Sequence, residues 1–165
     1  MRIGVLSDTH IADSVNDIPV EVINAFKEVD MVIHAGDIVN LEVLDKLSAV
    51  CKNIKAVWGN MDSLEVKNKL PQKEIIKAGK YTIGVMHGYG HPDRLTEILK
   101  NEFADKKVDI IIFGHSHRSL NEKINNILYF NPGSPTDKVF ATDNSYGIIE
   151  INDNIEAKII KLKAN

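Results

Sequence analysis

The sequence predicts a mixed α/β domain that opens with parallel strand–helix–strand units and becomes β-rich in its second half. Two patterns carry that reading. Between residues 3 and 113, short apolar runs alternate with segments whose apolar residues recur at helical spacing. Beyond residue 117, short apolar runs face each other across tight polar turns, as in hairpins. A third pattern concerns chemistry. Five of the apolar runs lead into Asp, His or Asn, the residue types that ligate metals.

The first run, Ile3–Ser7, reads as a buried strand, since four of its five residues are apolar or Gly. It leads into Asp8 and His10, which point to the same side if the chain continues extended. A polar loop follows through Asp17. Pro19 then suits the first position of a helix in which Val20, Ile23 and Phe26 form the apolar stripe. Met31–Ile33 is a second strand, leading through His34-Ala-Gly to Asp37. Leu41, Leu44 and Leu47 mark a second helix. Ile54–Trp58 is a third strand, running into Gly59-Asn60-Met61-Asp62.

After a polar segment, Lys73–Ala78 turns through Gly79-Lys80 into Tyr81–Met86, which leads to His87-Gly-Tyr-Gly90. Pro92 suits another helix start, with Leu95, Ile98, Leu99 and Phe103 as its apolar stripe. Ile110–Phe113 leads into Gly114-His115-Ser116-His117. Two hairpins close the chain: Leu120–Ile124 with Ile127–Phe130 across Asn125-Asn126, and Tyr146–Ile151 with Ile155–Leu162 across Asn152-Asp-Asn154. No internal repeat, low-complexity tract or linker interrupts the pattern, so residues 1–165 read as one domain.

Composition narrows the function. A length of 165 residues suits one core, and 44% hydrophobic with 26% charged content is ordinary for a globular protein. The net charge of −3 supplies no basic footprint for nonspecific nucleic-acid binding, and no aromatic–basic stripe suggests a nuclease on long chains. A single cysteine, Cys51, excludes an internal disulfide and a cysteine-cage zinc site. No apolar stretch approaches membrane-spanning length, and the chain opens almost directly into a strand without signal-peptide features. The cytoplasm is the expected compartment.

Ligands of such sheets gather outside the carboxyl ends of the strands. There the sequence places Asp8, His10, Asp37, Asn60, His87, His115 and His117, including four of the six histidines. These donors exceed what one tetrahedral ion takes. Sharing Asp37 between two ions about 3.5–4 Å apart uses them all. Two such ions acidify a bridging water from a pKa of about 15.7 towards about 7 and clamp a phosphoryl centre. Mixed imidazole and carboxylate ligation suits Mn, Ni, Fe, Co or Zn better than Ca or Mg, and the donor types do not choose among these; Mn or Ni is the expectation. Glycines 36, 59, 88 and 114 stand beside the ligands, where close backbone approach is needed.

Asp8-x-His10, Gly36-Asp37, Gly59-Asn60, His87-Gly88 and Gly114-His115-x-His117 together resemble the motif set of the calcineurin-like metallophosphoesterases. The resemblance runs from residue 3 to about residue 135. It is strongest to the small stand-alone phosphodiesterases of bacteria and archaea, whose relatives include a eukaryotic vesicle-coat scaffold subunit. It implies a four-layer α/β/β/α sandwich, with two mixed sheets face to face and helices outside. It also implies one ion held by Asp8, His10, Asp37 and His117, and a second by Asp37, Asn60, His87 and His115.

One position departs. Many family phosphatases follow the Asn with a His that protonates the leaving group or holds the phosphoryl oxygen, and here Met61 stands there. Asp62 keeps the acidic place that follows. His91, in the glycine-rich turn, is the candidate substitute acid, against the plainer reading of a surface histidine. The catalytic assignments are thus Asp37, Asn60 and His91. Gly88-Tyr-Gly90 is rejected as a dinucleotide fingerprint because Asp93 occupies the third glycine place. His34 reads as a hydrogen-bonded structural histidine, with support of a ligand left open. Asn131-Pro-Gly-Ser134 reads as a turn by composition; small family members carry a similar loop close to the site, so the resemblance offers, beside a plain turn, that Asn131 orients a ligand histidine or touches substrate. Arg118, next to His117, is placed to meet a phosphate, but neighbours on an extended chain face opposite ways, so it reads as a solvated arginine.

The expected function is hydrolysis of a small phosphodiester by a metal-bridging hydroxide. The alternatives are a phosphomonoester phosphatase, acting on phosphoprotein or nucleotide, and a non-catalytic scaffold on the same fold. Neither a membrane nor long nucleic acid is an expected partner, and a homo-oligomer is compatible with the sequence.

Overall fold

The computed structural model describes residues 1–12 and 17–163; residues 13–16 of the polar loop expected through Asp17 lie outside that range. The elements are β1 (Arg2–Leu6), α1 (Val20–Phe26), β2 (Met31–His34), α2 (Glu42–Ser48), β3 (Ile54–Ala56), α3 (Leu64–Lys69), β4 (Lys73–Ala78) and β5 (Tyr81–Met86). A single 3₁₀ turn (Pro92–Arg94) then precedes α4 (Leu95–Glu102), β6 (Ile110–Ile112), β7 (Leu120–Ile124), β8 (Ile127–Asn131), β9 (Ser145–Ile151) and β10 (Ile155–Lys161).

They form two five-stranded mixed sheets, ordered β10-β9-β1-β2-β3 and β4-β5-β6-β8-β7. Strands β1, β2 and β3 run parallel, as do β5, β6 and β8, while β9 pairs antiparallel with β1. The alternation of side chains sorts the layers. Ile3, Val5, Ile33, Val85, Ile110, Ile112 and Phe130 fill the space between the sheets. The opposite faces bury Leu6 and Val32 against Val22, Phe26 and Leu47, and Ile111 and Tyr129 against Leu95, Leu99 and Phe103. Strands buried on both faces read as continuous apolar runs, and for that reason they stood out in the sequence. The result is the four-layer α/β/β/α sandwich.

Small differences have local causes. Pro19 caps α1 from outside rather than occupying its first turn, and Pro92 opens the 3₁₀ turn that leads into α4. Strand β3 stops at Ala56, two residues short of Trp58. Helix α3 lies in the segment expected to be merely polar, because it buries only Val66 and carries no apolar stripe. Its signal is a cap: the Ser63 hydroxyl accepts the Val66 amide at 3.4 Å. Among the described residues no helix is long and apolar enough to cross a membrane.

Candidate metal centre

The loops leaving β1, β2, β5 and β6 converge at one end of the sandwich. The backbone there does not continue extended, as the first reading of Asp8 and His10 assumed. Asp8, His10, Asp37, His115 and His117 all take positive φ, between 45° and 68°. Left-handed backbone is costly for residues with a side chain and concentrates at functional sites. Here it is pinned from both sides. The Asp8 amide donates to the Gly36 carbonyl and the His10 amide to the Asp37 carbonyl. Asp62, buried, accepts the amides of Asp37, Val39 and Gly59 and so ties two ligand loops together.

Two carboxylates form the floor. Asp8 is fully buried and Asp37 nearly so. Three imidazole Nε2 atoms surround them. Asp8 Oδ1 lies 3.4 Å from His117, 3.8 Å from His87 and 3.9 Å from His10. Asp37 Oδ2 lies 3.3 Å from His87 and 3.6 Å from His10, and the Met61 amide holds its other oxygen at 2.7 Å. The Nε2 atoms of His10 and His117 are 3.2 Å apart. The donor atoms of Asp8, His10 and His117 lie within 4.8 Å of one another, and those of Asp8, Asp37 and His87 do likewise.

His115 and Asn60 are brought to each other rather than into those two groups. His115 Nδ1 sits 2.9 Å from Asn60 Oδ1, and its Nε2 is the same distance from the Gly90 carbonyl. The His115 ring packs edge-on to that of His87 at 5.4 Å. His91 stands apart. Its side chain is 70% exposed, its Nδ1 accepts the Asp93 amide at the start of the 3₁₀ turn, and it is not among the described cavity walls.

The donor set fits a cation on the structure's own evidence. His87 Nδ1 lies 2.8 Å from the Ala35 carbonyl, which can only accept, so the neutral ring carries its proton there and Nε2 is its ligating atom. That Nε2 is buried without a hydrogen-bond partner and aimed at the two carboxylates. Burial raises the Asp8 carboxyl above the ordinary carboxylate range despite the pull of His87 and His117. Burial also pulls the His87 imidazole down, but the Asp37 and Asp8 carboxylates outweigh it and the net shift is upward. Asp37 is pushed up by burial, and His87 and the Met61 amide reverse the sign. Divalent ions would satisfy this buried cluster of anionic oxygens and aimed nitrogens together. Two glycines make the approach feasible. A Cβ on Gly59 would sit 2.2 Å from Asp37 Oδ1, and one on Gly114 would sit 2.6 Å from Asp8 Oδ2.

The surroundings hold three further residues. Asp137, in the loop between β8 and β9, pairs with His117 Nδ1 and so turns Nε2 towards Asp8. The sequence reading passed over it, because it sits 20 residues beyond His117 in a loop without periodicity. Asn131 is buried and does not line the cavity, and its side-chain hydrogen bonds go to the turn beside it. It donates to the Gly114 carbonyl and the Ser116 hydroxyl, holding the turn that carries His115 and His117. His34 is structural: it meets the Thr9 hydroxyl at 3.1 Å, and burial lowers its pKa to about 3, so it stays neutral. A cavity of about 800 Å³ opens over the cluster, with Lys138 among its walls; Arg118 lines it too, on the same cavity as His117 rather than facing away from it, because the backbone at His117 is left-handed and not extended.

Two stacked mixed sheets with an aspartate–histidine cluster at their strand ends define a metallophosphoesterase domain. The chain belongs to the calcineurin-like phosphoesterase superfamily, whose domain model matches residues 1–154. It is 40% identical to a probable metallophosphoesterase of Methanocaldococcus jannaschii, over 99% of this chain and 82% of that one. A phosphodiesterase of the same organism is 31% identical over 81% of this chain and 83% of its own. Vps29 of Entamoeba histolytica, solved in complex with zinc, superposes with a TM-score of 0.75 over 98% of this chain and 99% of its own. At 23% identity that likeness establishes the shared fold.

Proposed function

We propose that the chain is a phosphodiesterase that works with two divalent cations. The observation that carries this is the buried Asp8–Asp37 pair faced by three aimed imidazole nitrogens in two overlapping groups. One cation set is Asp8, His10, Asp37 and His117; the other is Asp37, Asn60, His87 and His115. Asp37 is assigned as the shared ligand on the family resemblance; its Oδ2 faces both His10 and His87, and Asp8 Oδ1 likewise lies within 3.9 Å of His10, His87 and His117. When bound, the two cations acidify water at neutral pH and offset charge on the phosphoryl oxygens. The chain's own residues do the positioning. Asp62 and Met61 fix the Asp37 loop, Asp137 fixes His117, and Asn131 fixes the turn between β6 and β7.

The diester preference is supported by two features. Met61 supplies no proton to a leaving group, and a relative 31% identical is described as a phosphodiesterase. His91 is left out of this proposal because its ring caps the 3₁₀ turn and does not line the cavity. Arg118 and Lys138 on the cavity wall favour a second reading, a monoester dianion as substrate. One experiment separates the two: hydrolysis of a 4-nitrophenyl diester beside the monoester, on metal-stripped protein resupplied with Mn, Ni, Zn or Mg. Diester turnover restored only by transition metals supports the proposal. Faster monoester turnover supports the phosphatase, and no turnover by protein with two bound metals favours a scaffold.

A further inference from the structure

The cavity over the cluster is much larger than a phosphoryl group needs. At about 800 Å³ it falls in the range that accommodates a drug-sized ligand, about 300–1,000 Å³. Its lining is also chemically mixed. Met61, Val139 and Phe140 belong to it, and they are 61%, 77% and 70% exposed. These three are among eight exposed large hydrophobic residues in the described chain, and they share one cavity. Apolar side chains gathered at the mouth of a polar site mark a place where something apolar is bound.

The arrangement is also anchored. The Phe140 and Val139 amides donate to Asp137, the carboxylate that pairs with His117. The Phe140 ring stands perpendicular to the His117 imidazole, 5.7 Å from it. The aromatic face is therefore set a fixed distance from the reacting centre. Met61 is the position where the resemblance led one to expect histidine. Its thioether is soft and polarisable, which suits contact with a ring held in the same cavity. Arg118 and Lys138, on the same cavity, supply positive charge for the phosphate to which such a ring would be attached.

We infer that Phe140, Val139 and Met61 seat a planar aromatic ring carried on one arm of the substrate, so that the site selects aryl- or nucleobase-bearing phosphodiesters over alkyl ones. Phe140 is the specificity-determining residue of that seat. The inference rests on the phosphodiesterase reading, and its test is built to fail separately.

Three 4-nitrophenyl diesters that differ only in the retained arm are compared: ethyl, phenyl and thymidine-5′. In each, water adds to phosphorus and the bond to 4-nitrophenolate breaks, so the leaving group is constant. The measured quantity is the ratio of kcat/KM for each ring-bearing arm to that for ethyl. Phe140→Leu should lower both ratios about fivefold, the size of one aromatic pair contact, and Phe140→Trp should keep them. Calorimetric binding of diphenyl and diethyl phosphate to the Mn²⁺-supplied protein should give the same change in ratio without turnover. Ratios unmoved by Phe140→Leu overturn the seat, and so does a preference for thymidine without one for phenyl. Absence of any diester hydrolysis sinks the diesterase reading instead, while the calorimetric ratio still decides the seat.

Discussion

Asp137→Asn is the most informative single change near the cluster. The substitution keeps the side chain's shape and removes its charge. In the native loop the carboxylate accepts the amides of Val139, Phe140 and Ala141 at 2.8–3.0 Å and meets His117 Nδ1. Burial pushes its pKa up, but those amides and His117 outweigh it, so the group is held below the ordinary carboxylate range and stays ionised near neutrality. An asparagine offers one oxygen for the same four donors, and its amide nitrogen repels those it faces. Losing such a supporting carboxylate typically lowers metal affinity about 10- to 100-fold, or about 1.4–2.7 kcal/mol. A hydrogen bond to a charged group contributes about 1.5–3 kcal/mol, which agrees. Competition against a chromophoric chelator measures the affinity, and circular dichroism checks the fold. A well-folded Asp137→Asn protein that binds metal as tightly as wild type would refute the role given to Asp137.

Two further changes test other parts of the account. Gly59→Ala forces a Cβ to within 2.2 Å of Asp37 Oδ1 and 2.6 Å of the Asp37 amide, so the loop must shift. It should cost about 1–3 kcal/mol in urea unfolding and abolish turnover, and full activity would contradict the close approach. His34 has a folded pKa near 3, below its unfolded value of 6.5, so its contribution is intact above pH 6.5 and is lost as pH falls towards 3. Between about pH 7 and about pH 5 the metal-free wild type should therefore lose about 2 kcal/mol more stability than His34→Gln. Parallel pH profiles for the two proteins would show that His34 is not held neutral.

The strands were legible because β1, β2, β5 and β6 are buried on both faces and read as apolar runs without alternation. The clustered side chains were legible because Asp, His and Asn recur just past those runs. What the pattern does not encode is backbone sign. Nothing in Asp8-x-His10 announces left-handed φ, which arises because the next loop's carbonyls capture both amides. Pairings set by the whole fold were equally hidden. Strand β9 docks beside β1 from the far end of the chain, and Asp137 reaches His117 only because its loop is bonded to the end of β1. There, Ser134 donates to the Asp8 carbonyl and Thr136 to that of Thr9. Helix α3 escaped because one buried side chain makes no stripe.

Metal stoichiometry decides whether the Asp37 carboxylate joins two ions. The stripped protein is dialysed against Mn²⁺ or Zn²⁺, and bound metal per chain is measured for wild type and for Asp37→Ala, with circular dichroism confirming the fold. The account expects about two ions per wild-type chain, and no more than about one once the shared Asp37 carboxylate is gone. Wild type saturating at a single ion, or Asp37→Ala still holding two, would contradict it.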